Sequence, residues 1–122
     1  MSFVWAVAAA GAIGAPARYV VDAAVSRAWR RHWPLGTLVV NTSGALLLGV
    51  ITGLALYHGL ASTPKVVIGT GFCGAYTTFS TLWFEVVRLT EDGARRAAMS
   101  YVTLSTVAGL VAAAAGLALA AL

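Results

Sequence analysis

Three stretches of this chain, Gly36 to Tyr57, Val66 to Phe84 and Ala97 to Leu122, contain no Asp, Glu, Lys or Arg. A fourth, Phe3 to about Val25, is apolar except for Arg18 and Asp22. A helix that crosses a bilayer needs about 20 mostly apolar residues, so each stretch is long enough to span. Four spans in 122 residues leave almost nothing for a soluble domain or an enzymatic loop. The composition agrees, with 60% hydrophobic and 10% charged residues and a mean hydropathy of +0.86. The expectation is an all-α membrane protein: one four-helix transmembrane domain over residues 1–122, with spans at about 3–25, 36–57, 65–87 and 97–120.

The first stretch lacks a basic leader and carries an internal arginine, so it reads as a helix and not as a signal peptide. The connections are short. Trp29 to Pro34 joins the first two spans, with tryptophans suited to the membrane interface and a proline suited to starting a helix. His58 to Pro64 joins the next two, with Ser62 or Thr63 expected as a cap. Thr90 to Gly93 precedes the last span, and Gly93 is expected to turn. Gly11 with Ala15, Gly49 with Gly53, and Ala112 with Gly116 recur at helical spacing, which lets backbones approach closely in lipid. These pairs speak of packing and not of chemistry.

If all four spans cross, Arg27, Arg30, Arg31, Arg88, Arg95 and Arg96 fall toward one side and only Lys65 toward the other. The positive-inside rule then puts the termini outside the cytoplasm. The net charge of +4 does not indicate nucleic acid, because the basic residues flank apolar spans instead of lining a soluble face. Cys73, the single cysteine, has no intrachain partner and reads as packing. His32 and His58 lie near membrane boundaries and pair with no nucleophile, so no enzymatic reaction is implied.

Function concentrates where the apolar pattern fails. Gly71-Phe72-Cys73-Gly74-Ala75-Tyr76-Thr77-Thr78-Phe79-Ser80-Thr81 puts glycines, hydroxyls and aromatics in the middle of the third span. Asn41 carries an amide into the second. Singly, a membrane Ser or Thr bonds a carbonyl one turn back. Together, four hydroxyls and an amide beside a glycine-framed segment can line a narrow hydrated path. Phe79 reads as core or lipid-facing by default, yet a ring edge carries positive partial charge and can face an anion. Donors plus ring edges favour a small anion. A break between Gly74 and Thr77 would also free carbonyls to bind a hard cation. Glu85 near a helix end reads first as paired with Arg88 at i+3.

These residues resemble the fluoride-specific channels of bacteria called Fluc or CrcB. The resemblance runs through Gly11 to Tyr19, Gly36 to Gly44, and above all Gly71 to Gly74 with Thr77 to Thr81. It implies an antiparallel dimer with the third helix broken mid-membrane and two fluoride pores along the subunit interface. It also implies one central sodium ion, structural and not transported, held by the backbone oxygens of Gly74 and Thr77. By position, Asn41 and Phe79 would line the fluoride path. Thr78, Ser80, Thr81, Glu85 and Ser105 would form a polar track, and Arg18 would sit near the wide entrance. Fluoride would leave the cytoplasm passively across the plasma membrane, giving fluoride resistance.

The chain also departs from that family. A second phenylalanine is common three residues after the first, and here the position is Leu82. Trp83 and Phe84 point elsewhere on an ideal helix, since neighbours differ by about 100°, and are expected to be poor substitutes. The one-sided arginines raise the expectation of a heterodimer with a paralogue supplying the missing ring, beside that of a homodimer. A non-conducting or obligate partner subunit is the second reading. A small multidrug transporter is less favoured, because Asp22 lies near the end of the first span, where pairing with Arg18 is expected.

Overall fold

The structure, a computed structural model, describes residues 2–30 and 33–122. Arg31 and His32 lie outside the described residues, and so do the expectations that rest on them. All described elements are helical: α1 (Ser2–Ala28), α2 (Leu35–Tyr57), α3 (Ser62–Val66), a π-helical stretch (Val67–Cys73), α4 (Gly74–Tyr76), α5 (Ser80–Glu91) and α6 (Arg95–Ala120). Three of them, α1, α2 and α6, are long and apolar enough to cross a membrane. The expected third span is not one uniform helix. Helical backbone runs from Ser62 to Tyr76, stops over Thr77–Phe79 and resumes at Ser80.

The caps follow the sequence in part. Pro34 precedes α2 as expected, whereas Ala61, and not Ser62 or Thr63, stands before α3 with no side-chain capping bond. Gly93 turns at φ +79°, a conformation that costs a side-chain-bearing residue energy.

Glycines set the helix contacts. On α2, a Cβ at Gly49 would strike the backbone of Ala113, and one at Gly53 would come within 2.6 Å of the Ala120 side chain. On α6, a Cβ at Gly116 would strike the Leu46 carbonyl and approach Val50 N to 2.8 Å. Rising numbers meet rising numbers, so α2 and α6 run parallel and in near backbone contact. His58 Nε2, just past α2, bonds the Ala120 carbonyl at 2.7 Å, which ties the ends of both helices together. The small residues thus do what membrane helix packing requires.

The helix α1 packs on the π-helical stretch in the same way. A Cβ at Gly71 would lie 2.8 Å from Val7 O, and one at Gly14 would lie 2.5 Å from Phe72 O. At the other end of α1, Gly36 fits against the Asp22 carboxylate, where a Cβ would collide. A buried cluster of Leu89, Ala98 and Tyr101 joins α5 to α6, with Trp33, Leu38, Leu82 and Val86 against it. Trp33 and Tyr101 meet edge to face at 5.2 Å.

Candidate functional site

One side chain holds the interruption at Thr77–Phe79 open. Asn41 Nδ2 donates to the Thr78 carbonyl at 2.8 Å, and Thr78 N–H donates to Asn41 Oδ1, also at 2.8 Å. A single amide therefore satisfies both backbone groups of Thr78, which lipid could not do. The Gly74 carbonyl loses its helical partner as a result, because the N–H four residues on is the one diverted to Asn41. Thr77 still bonds Cys73 O through its N–H at 2.9 Å and its hydroxyl at 2.8 Å, but its ψ of 160° turns the chain out of the helix.

The hydroxyls beyond the interruption bond one another. Thr78 Oγ1 accepts the Thr81 N–H at 3.2 Å, donates to Thr81 Oγ1 at 3.0 Å and lies 3.4 Å from Ser80 Oγ. They rebuild the start of α5 and leave a connected polar edge. The π-helical stretch, seven residues long and rare in proteins, leads into this region. It was not expected from the sequence.

Arg18 reaches the same place. Its Nη1 donates to the Thr77 carbonyl at 3.3 Å, so the arginine expected at an entrance also touches the interruption. Pairing with Asp22 is corrected, since among the described residues no ion pair joins them. Asp22 packs instead against Gly36 at the start of α2, near Ser26 Oγ at 3.5 Å. A helix N-terminus favours a carboxylate there. Arg18, Asp22, Thr37, Thr78 and Thr81 line a cavity of about 190 Å³. A second polar cavity, about 280 Å³, shares Asp22 and Thr37 and continues to Arg30, Glu85 and Arg88. Glu85 is ion-paired with Arg88, as the i+3 spacing indicates.

Between these cavities and α6 lie residues that sequence reasoning missed. Tyr101 is fully buried, and Thr37 and Ser105 are its near neighbours, yet its hydroxyl and that of Ser105 have no hydrogen-bond partner. Ser105 was anticipated; Tyr101 and Thr37 were not. A lone tyrosine in an alanine-rich helix reads as packing, and the only available signal was its i+4 spacing to Ser105.

Phe79 stands apart. It is 75% exposed and is not among the residues lining either polar cavity. Within one copy, then, the polar edge and the ring face different ways. Leu82 packs inward against the Tyr101 cluster. Trp83 points away from Leu82, as neighbouring positions on a helix do, but it turns toward Phe79, and the two rings meet edge to face at 6.0 Å. At about 100° per residue, position 83 returns to within about 40° of position 79, closer than position 82 does.

The proposed cation ligands, Gly74 and Thr77, line one cavity of about 300 Å³ with Asn41 and Cys73. Gly74 is exposed and a Cβ there would meet nothing within 4 Å. Two carbonyl oxygens suit a hard cation in kind but do not by themselves enclose one. Among the described residues, no group of three His, Cys, Asp or Glu is placed to hold a metal.

A multi-pass helical bundle with non-helical backbone amid its apolar helices, pinned by an amide and edged with hydroxyls, is the architecture of a membrane ion pathway. The chain belongs to the CrcB-like, camphor-resistance family, whose model matches residues 5–117. It is 50% identical over 107 residues to "Fluoride-specific ion channel FluC 2" of Mycolicibacterium paratuberculosis, covering 87% of this chain and 84% of that one. It is 43% identical over 120 residues to "Fluoride-specific ion channel FluC 2" of Cutibacterium acnes, covering 98% and 97%. It is 47% identical over 96 residues to "Fluoride-specific ion channel FluC 1" of Leifsonia xyli, covering 79% and 70%. The family is one of ion channels and not of enzymes.

Proposed function

We propose that this protein is a fluoride-selective passive channel that lets cytoplasmic fluoride leave across the bacterial plasma membrane and so confers fluoride resistance. The observation that carries this reading is the Asn41–Thr78 clamp, which holds backbone open beside a track of hydroxyls in a chain of this family. Fluoride is small and strongly hydrated, so it must exchange water for donors that are numerous yet individually weak enough to release it. The hydroxyls of Thr78, Ser80 and Thr81, the unpartnered hydroxyls of Tyr101 and Ser105, and the Phe79 ring edge are donors of that kind. Arg18 draws anions toward them.

The working unit is an antiparallel dimer in which residues 62–91 form the fourth membrane span, broken at its middle. Two faces support the dimer: exposed Phe79 and exposed Gly74, both beside the break. The second copy brings its ring to this copy's polar edge. It also brings the second pair of carbonyls from Gly74 and Thr77, which completes a structural sodium site that joins the subunits and carries no current. The clustering of Arg30 with Arg88 at one end supports a fixed orientation, with the termini outside the cytoplasm. A homodimer and a dimer with a paralogue both fit. The numbered names of the relatives, FluC 1 and FluC 2, support the second.

Leu82 is the specific observation favouring the alternative, an obligate or non-conducting partner subunit. The Leu82→Phe variant separates the two. A conducting chain with a weakened pore gains one aromatic contact worth about 0.5–1.5 kcal/mol, and its fluoride efflux rises roughly two- to twelvefold. A scaffold gains none.

A further inference from the structure

We propose that Trp83 lines the anion path and supplies the indole N–H as a donor to the passing ion, an inference that rests on the channel reading above. Trp83 lies three residues into α5, four after Phe79 at the interruption. It is 43% exposed, on the same face as Phe79. In the broken span proposed above, Trp83 falls nearer the interruption than the Glu91 end of α5, away from the headgroup level at which a membrane tryptophan usually anchors. Trp5, Trp29 and Trp33 sit near helix ends and are placed for that duty.

An indole N–H is a donor only, and a tryptophan removed from water normally finds a partner for it. The N–H of Trp83 has none among the described residues. Hydrocarbon cannot accept it. An acceptor must therefore reach this face, and the other features of the face suit an anion. The Phe79 ring meets Trp83 at 66° between planes, so each ring fixes the other and a polarised edge stays presented. The groove that Trp83 heads, about 420 Å³, runs between α5 and α6 past Met99 and Thr103 to Arg95. A cation thus stands at the far end of an otherwise weakly polar passage, where it concentrates anions without binding them along the way.

Two measurements on the full-length protein in lipid test this. In the first, protein with 15N-labelled tryptophan is titrated with fluoride and separately with chloride, the Trp83 resonance being assigned from Trp83→Phe. The inference requires a fluoride-dependent shift of that indole N–H which chloride does not reproduce; no shift, as with a bond to a partner's carbonyl, overturns it. In the second, fluoride efflux from liposomes is expected to fall about tenfold in Trp83→Phe, which keeps a ring and loses the donor, and further in Trp83→Ala. Trp5→Phe is expected to leave it unchanged. Wild-type rates in both Trp83 variants overturn the inference. Failure of the unmodified chain to conduct contradicts the channel reading instead, and the indole titration then decides this inference alone.

Discussion

Replacing Asn41 with leucine is expected to reduce fluoride efflux about a hundredfold or more. The amide makes two bonds of 2.8 Å to one residue of the interrupted backbone. Each is worth about 1 kcal/mol net, and each abandoned backbone group adds a desolvation penalty of about 1–3 kcal/mol unless it finds another partner. The partner within reach of the Thr78 N–H is the Gly74 carbonyl. The leucine variant therefore closes the helix through the interruption, which removes the free carbonyl and the extended residue together. At 1.4 kcal/mol per factor of ten, the loss of roughly 3 kcal/mol in the conducting geometry gives that hundredfold. Asn41→Asp sharpens the result: it keeps the acceptor for Thr78 N–H, cannot donate when ionised, and places a negative charge on an anion path. Its efflux falls as far while the folded protein remains. Efflux by stopped-flow or electrode, with gel filtration as a folding control, checks both variants.

Gly116→Val is expected to have the largest effect on the assembled helices. Its first added carbon would overlap the Leu46 carbonyl and press on Val50 N at 2.8 Å, and neither is a side chain that can rotate away. Overpacking in a well-packed core costs about 1–3 kcal/mol, and α2 and α6 must separate along the seam that Gly49 and Gly53 also serve. The variant is expected to lose several degrees of thermal stability in detergent, or to aggregate. Gly109→Ala, in the same helix but with nothing within 4 Å of the added carbon, is expected to match the unmodified protein. Equal stability of the two variants would contradict the close seam.

Some of this was legible in the residues. Apolar runs of about 20 residues with at most two charges set the three long helices, because the bilayer fixes a length and disfavours ions, whereas the charge-free run from Val66 to Phe84 is broken into shorter pieces. Gly49 with Gly53 marked a true contact. The run from Gly71 to Thr81 contains the interruption, but it falls at Thr77–Phe79 and not between Gly74 and Thr77 as expected, because Gly74–Tyr76 stays helical and the Thr78 N–H is the one taken by Asn41. What stayed hidden was tertiary. The sequence placed Asn41 near the path but could not tell that its amide is spent on Thr78. Nor could it tell that Arg18 reaches across 59 positions to Thr77 and leaves Asp22 to the start of α2. Tyr101 and Thr37 were passed over because burial of a polar ring shows only once α6 is laid on α2. The spacing shows that Trp83 points away from Leu82, but its pairing with Phe79 one turn back depends on side-chain rotamers that spacing alone does not fix.

The most direct test of the central claim is fluoride efflux from liposomes that contain this purified chain alone, with chloride as the control ion. The account predicts fast efflux of fluoride and none of chloride. Folded, reconstituted protein that releases neither ion would contradict a self-sufficient channel.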